Sequence, residues 1–144
     1  MNLTKQSIWV FADYRNYFQN RVTLQILAKA VDLSAATHGS ACAVVFGHGV
    51  DAYVAEYIAH GARKVYVVDH PALAAYSMET YAWLMSRLVR RYQPETLLVG
   101  ATRFGQEMAP RIAKQLGTGL TADCINLDID EKGLLVQIAP SFGG

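Results

Sequence analysis

The sequence predicts an α/β domain built on a mostly parallel sheet with helices on both faces and an appended β-hairpin. Three observations carry that expectation. Four short apolar runs, near residues 7–13, 41–46, 64–69 and 96–101, are continuous rather than alternating, as strands are when helices cover both sides of their sheet. Between them lie segments whose apolar residues recur at helical spacing, the alternation that builds βαβ units with right-handed crossovers. After Ala122 the pattern switches to alternation of apolar and polar residues, the mark of strands with one solvated face.

Taken in order, Ser7-Ile8-Trp9-Val10-Phe11-Ala12-Asp13 reads as a buried strand closing on a polar residue. Leu24, Leu27, Ala28, Val31 and Ala35 place a helix over about residues 21–37. Ala41-Cys42-Ala43-Val44-Val45-Phe46 is the second strand, closed by Gly47-His48-Gly49. Asp51 is expected to cap a short helix through Val54 and Ile58, with Gly61 at its end. Val65-Tyr66-Val67-Val68-Asp69 forms a third strand before His70-Pro71. Tyr81, Leu84, Met85, Leu88 and Tyr92 make one stripe of a longer helix that Pro94 terminates, and Thr96 to Ala101 supplies the fourth strand. The next helix is expected from about Gly105 to Leu116, with Met108, Ile112 and Leu116 inward and Pro110 in or near its first turn. Gly117 and Gly119 stop it. Ile125, Leu127 and Ile129, a turn at Glu131-Lys132-Gly133, and Leu134 to Ile138 complete the hairpin.

A length of 144 residues fits one domain spanning 1–144. Hydrophobic residues at 52% and charged residues at 17% support a packed core. The net charge of +1 leaves no basic stripe for nucleic acid. No apolar run reaches the ~18 residues of a membrane span, and the first residues lack the apolar core of a secretory signal. The expected setting is the reducing cytoplasm. Cys42 and Cys124 lie far apart and form no C-x-x-C pair, so both read as free thiols filling core space. The ending Pro140-Ser141-Phe142-Gly143-Gly144 resembles a loop cut from a longer chain.

Chemistry-bearing motifs are few. The sequence has no G-x-x-x-x-G-K-[ST], no G-x-G-x-x-G after the first strand and no G-x-S-x-G. His38, His48, His60 and His70 all fall at element ends and none pairs at i, i+4, so no metal site and no catalytic residue is assigned. Gly47-His48-Gly49 either approaches a phosphate at the carboxyl end of its strand or serves as a turn needing glycine, and the turn is the preferred reading. For Ala101-Thr102-Arg103-Phe104-Gly105-Gln106-Glu107-Met108-Ala109-Pro110-Arg111 two readings stand. The amides of the helix start and Arg103 hold an anion, or Thr102 caps the turn, Arg103 is solvated and Arg111 pairs with a carboxylate.

Ala101-Thr102, the stretch from Gly105 to Arg111, and Gly117-Thr118-Gly119-Leu120-Thr121-Ala122-Asp123-Cys124 resemble the alpha subunit of electron-transfer flavoproteins. The likeness continues through Leu127-Asp128-Ile129-Asp130, Gly133 to Gln137, and Pro140 to Gly144. Upstream, Phe46-Gly47-His48-Gly49 and Asp69-His70-Pro71-Ala72-Leu73 fit more weakly. Gln106 and Ala139 stand where the family pattern usually has arginine, and Glu107 replaces aspartate.

The resemblance implies an amino-terminal domain of Rossmann-like, adenine nucleotide alpha-hydrolase-like fold that does not itself hold the flavin. It implies FAD in a carboxy-terminal domain beyond Gly144, a beta subunit as heterodimer partner, and a dehydrogenase or quinone-reducing partner reached through the complex. The domain would then be an electron-carrier component rather than an enzyme. Docking candidates are Thr102, Arg103, Gly105, Arg111, Thr121 and Asp123, expected to cluster at the carboxyl edge of the sheet, with an Arg111–Asp123 ion pair. The competing readings are a free-standing adenine-nucleotide-binding module similar to universal stress proteins, using Gly47-His48-Gly49 and Ala101-Thr102-Arg103, and a small hydrolase or transferase, for which no nucleophile–base set can be assembled.

Overall fold

The computed structural model describes residues 7–100 and 102–118 together with the backbone of two strands, Leu120–Cys124 and Leu134–Ile138. The elements run β1 (Ser7–Phe11), α1 (Tyr17–Ala36), β2 (Ser40–Gly47), α2 (Asp51–Ala59), β3 (Lys64–Asp69), α3 (Met78–Tyr92), β4 (Thr96–Gly100), α4 (Arg103–Leu116), β5 (Leu120–Cys124) and β6 (Leu134–Ile138). The sheet order is β3-β2-β1-β4-β6-β5. The first four strands in that order are parallel, and β6 runs antiparallel to both β4 and β5.

The continuous apolar strands follow from the two layers that cover them. On one face Trp9, Phe11, Cys42, Val44, Phe46, Leu97 and Val99 pack under Tyr81, Met85 and Val89 of α3 and Met108 and Ile112 of α4. On the other, Val10, Ala12, Ala43, Val45 and Leu98 pack under Ile26, Leu27 and Ala30 of α1 and Tyr57 of α2. Alternate residues of each strand therefore enter opposite cores. Trp9 is fully buried, its ring 4.7 Å from that of Tyr66 and 6.1 Å from that of Tyr92. Cys42 lies in the same layer, where burial pushes its thiol up. The side chain of Cys124 lies outside the described residues.

Four element boundaries differ from the sequence expectation. Helix α1 begins at Tyr17, because the Asn16 side chain accepts the Gln19 amide at 2.9 Å and caps it there. Helix α4 begins at Arg103, which puts Pro110 inside the helix and leaves the Gln106 carbonyl without its usual intrahelical donor. Asp51 is the first residue of α2 and not its cap; the preceding Val50 offers no side-chain acceptor. The first hairpin strand is 120–124, and the expected strand at 125–129 lies outside the described residues. The hairpin is also less of an appendage than expected, since β6 extends the main sheet by pairing with β4 from Leu97↔Ile138 to Gly100↔Leu135.

Candidate functional site

In the strand order, β2 and β3 lie on one side of β1 while β4 lies on the other, so the chain changes direction between β1 and β4. Open α/β sheets bind ligands at the carboxyl ends of the strands beside such a reversal. Here Asp13 follows β1 and Thr102 follows β4.

Asp13 is only 5% exposed, yet its carboxylate is well satisfied. Arg15 donates from Nε to Oδ1 at 3.0 Å and from Nη2 to Oδ2 at 2.9 Å. The Thr102 hydroxyl donates to Oδ2 at 3.3 Å while its oxygen accepts the Gly105 amide at 3.1 Å, which caps α4. The Asp13 amide donates to Thr23 Oγ1 at 3.0 Å, and that hydroxyl returns a bond to the Asp13 carbonyl. One buried residue thus joins the ends of β1 and β4 to α1 through its main chain and to α4 through its carboxylate. The Arg15 guanidinium lies over the rings of Tyr76 and Phe104, at 4.8 and 5.0 Å from their centroids. Its hydrogen bond to Asp13 raises its pKa further above its ordinary value.

Beside this knot, Tyr14, Arg15, His48, Tyr53, Ala74 and Tyr76 line an open depression of about 480 Å³. Tyr14 stacks on Tyr53 at 4.4 Å and donates to the Phe46 carbonyl at 2.6 Å. A Cβ at Gly47 would stand 1.8 Å from that hydroxyl, so any larger residue there would push the Tyr14 hydroxyl away from the Phe46 carbonyl. Burial pushes the hydroxyls of Tyr14, Tyr76 and Tyr81 up, and those of Tyr14 and Tyr81 donate to the Phe46 and Leu73 carbonyls.

The Gly47-His48-Gly49 segment forms a turn in which Gly49 takes a left-handed φ of 69°. The amides that open α2 are capped from a distance. Asp69, at the end of β3, accepts from Gly49 N at 3.1 Å through each oxygen and from Val50 N at 3.3 Å. His48 Nδ1 stands 3.4 Å from Oδ1. The Gly49 and Val50 amides, in that order, hold the Asp69 carboxyl below the usual carboxylate range. A depressed folded pKa means that the stabilisation is complete above the unfolded value of about 3.9 and is lost as pH falls through the folded value. The melting-temperature gap between the native chain and Asp69→Asn is therefore expected to hold constant from neutral pH to about 5 and to shrink below about 4. A gap that persists unchanged at pH 3 would show that the charge of Asp69 does not cap α2.

The candidate docking residues separate in this geometry. Thr102 is tied to Asp13 and Gly105, whereas Arg103 is exposed at the first position of α4. Gly105 is buried, and a Cβ there would lie 2.0 Å from the Gly100 carbonyl oxygen, so it serves the close approach of α4 to β4 and presents no surface. Arg111 is exposed in a groove between α3 and α4. Leu135 pairs with both Gly100 and Asp123, which puts Asp123 level with the carboxyl end of β4. Gln137 pairs with both Leu98 and Thr121, which puts Thr121 level with mid-strand. The side chains of Thr121 and Asp123, and with them the expected Arg111–Asp123 ion pair, lie outside the described residues. Asp13 and Arg15 were not anticipated; the only trace of them in the sequence is a carboxylate closing the first apolar run. Among the described residues no group of three or more His, Cys, Asp or Glu side chains is placed to hold a metal ion. Among the same residues no helix is long and apolar enough to cross a membrane.

A mostly parallel sheet reversing at β1, with helices on both faces and polar residues gathered at its carboxyl edge, defines an α/β domain of Rossmann-like architecture. Residues 8–144 match the family described as the electron transfer flavoprotein domain. The chain is 48% identical over 139 residues to the electron transfer flavoprotein subunit alpha of Thermoanaerobacterium thermosaccharolyticum, covering 96% of this chain and 42% of that protein. It is 36% identical to the lactate dehydrogenase (NAD(+),ferredoxin) subunit LctC of Acetobacterium woodii, covering 96% of this chain and 33% of that protein. Identity is also 36% to the acryloyl-CoA reductase electron transfer subunit beta of Anaerotignum propionicum, over 87% of this chain and 34% of that protein. The chain belongs to the electron transfer flavoprotein family, as an alpha-subunit amino-terminal domain. It spans 33% to 42% of the length of these relatives.

Proposed function

We propose that this domain is the scaffold of an electron transfer flavoprotein alpha subunit, docking a beta subunit and a flavin-carrying domain. In this reading FAD, held beyond Gly144, takes electrons from a dehydrogenase and passes them to an acceptor. The observation that carries the proposal is the 48% identity to an alpha subunit over 139 residues, within the family match of residues 8–144. The names of the lactate dehydrogenase and acryloyl-CoA reductase subunits support a dehydrogenase-type partner.

The described residues of the carboxyl edge do not fit a dinucleotide. The amides that a phosphate would approach are taken by the protein's own groups: Asn16 caps α1 and Thr102, itself bonded to Asp13, caps α4 beside the reversal, while Asp69 takes the Gly49 and Val50 amides just ahead of α2. Arg15, beside the reversal, is paired with Asp13. A phosphate entering there would meet two carboxylates. This favours the scaffold over an adenine-nucleotide module, and no electron-transfer step is routed through these residues.

Co-expression with a beta subunit of the same family tests the proposal. A stoichiometric complex on gel filtration is the expected outcome. A chain that elutes alone, at concentrations where the beta subunit is folded, would refute the docking role.

A further inference from the structure

The outer side of α3 and α4 bears a second surface that the carboxyl edge does not use. Helix α3 turns Tyr81, Ala82, Met85 and Val89 into the core, yet Trp83 faces the opposite way with 53% of its surface in water. The Arg87 guanidinium lies over its ring, 4.9 Å from the centroid. Across from it α4 presents Arg111, Lys114 and Gln115, and these residues with Glu79, Thr80 and Trp83 line a groove of about 970 Å³. Arg90 donates to the Gln115 main-chain carbonyl, which ties the two helices together beside the groove.

Two observations say what covers it. The first is the make-up of the surface: an outward tryptophan beside arginines contributes nothing to the core, and tryptophan and arginine are the side chains that dominate protein interfaces when desolvated. The second is charge. Arg111 and Lys114 line the groove against Glu79, with Arg87 over the Trp83 ring and Arg90 on Gln115 beside it, in a chain whose overall charge is only +1. Such a concentration on one helical pair calls for an acidic partner.

We propose that the α3–α4 groove is the docking site for an acidic protein surface, one that presents carboxylates to Arg111 and Lys114 and seats an apolar side chain against Trp83. The proposal rests on the reading of this domain as a scaffold and names the face and the chemistry of its partner. The carboxyl edge then has a structural part, and Arg103, about 12 Å along α4 from Arg111, lies outside the contact.

Trp83 makes the test direct. The chain has two tryptophans and Trp9 is fully buried, so iodide quenches only Trp83. Adding a beta subunit of the same family is expected to shield Trp83 from iodide. Trp83→Ala and the pair Arg111→Glu with Lys114→Glu should each weaken the complex at least roughly tenfold. The charge pair should also abolish its salt dependence, and Arg103→Glu should leave affinity unchanged. All four positions are exposed, and matched melting curves verify that the variants fold. A complex that forms with Trp83 still open to iodide, or that only Arg103→Glu disrupts, overturns the groove while leaving the scaffold reading intact. If no complex forms, the scaffold reading fails, and a synthetic Asp/Glu-rich peptide with a central leucine decides the groove: shielding of Trp83 supports it, unchanged quenching overturns it. Tighter binding of a DNA or RNA oligonucleotide than of the peptide, lost in the charge pair, would also overturn it.

Discussion

Gly105→Ala is expected to destabilise the domain by about 3 kcal/mol, at the upper end of what overpacking costs. Gly105 lies in the first turn of α4, where the helix crosses the end of β4. An added methyl would meet the Gly100 carbonyl oxygen at 2.0 Å and Val99 Cγ1 at 2.9 Å. The first of these is backbone at the end of a central strand, where Gly100 pairs with Leu135 of β6 two residues beyond the pairing of Leu98 with β1, and it cannot retreat without opening the ladder to β6. The helix must move instead, and it is held by the Thr102 cap and by Met108, Ala109 and Ile112 in the core. The melting temperature should fall by about 6–12 °C. Gly117→Ala is the control: nothing stands within 4 Å of a Cβ there, and only the left-handed φ of 67° resists it, so about 1 kcal/mol is expected. Urea midpoints of the two variants check the comparison. A loss at Gly105 no larger than at Gly117 would mean that α4 does not sit this close to β4.

The Asp13–Arg15 pair gives the second large effect. Asp13→Ala frees Arg15, removes the acceptor of the Thr102 hydroxyl and loosens the junction of β1 with β4 and α4. Breaking a buried pair from one side costs about 3–5 kcal/mol. The Arg15 side chain keeps 32% of its surface in water, against 7% for Asp13, so solvent relieves part of the loss. A value of about 2–3 kcal/mol is expected for either single variant. A double-mutant cycle with Arg15→Ala should return a coupling of about 1–2 kcal/mol. Strict additivity, measured by urea unfolding, would show that the two residues act independently.

These two sites differ in how far the sequence announced them. Gly105 and Thr102 stood in a motif that drew attention by resemblance, and the cap that Thr102 provides is local, three residues from its partner. The bond from Thr102 to Asp13 spans 89 residues, and no periodicity or spacing rule connects positions that far apart. The same contrast explains the α2 cap. Asp51 was the obvious local choice, but Asp69 reaches the Gly49 and Val50 amides just ahead of α2 from 20 and 19 residues away because β3 lies beside β2.

Strands β1, β2 and β4 were legible because burial on both faces leaves continuous apolar runs, as in Ala41 to Phe46; β3 shows the same run although it lies at the sheet edge and stays partly exposed. Helix starts were less legible where the first turn has no apolar stripe. In α1 that turn is Tyr17-Phe18-Gln19-Asn20, whose aromatic residues remain exposed, 84% for Tyr17 and 43% for Phe18. Pro110 pulled the expected start of α4 inward, since a proline is easiest to place in a first turn. The observed helix holds it at an exposed position on the solvent side, where water can serve the Gln106 carbonyl.

The central claim is that this domain supports a flavin protein without holding the flavin. Titrating the purified chain with FAD and with AMP in a calorimeter, alongside its absorption spectrum, tests that claim most directly. A colourless protein that takes up neither ligand in stoichiometric amount is the predicted result, because Thr102 takes the α4 amide and Asp69 the amides just ahead of α2. A yellow chain that retains one FAD through gel filtration, or one that binds AMP one to one, would contradict it.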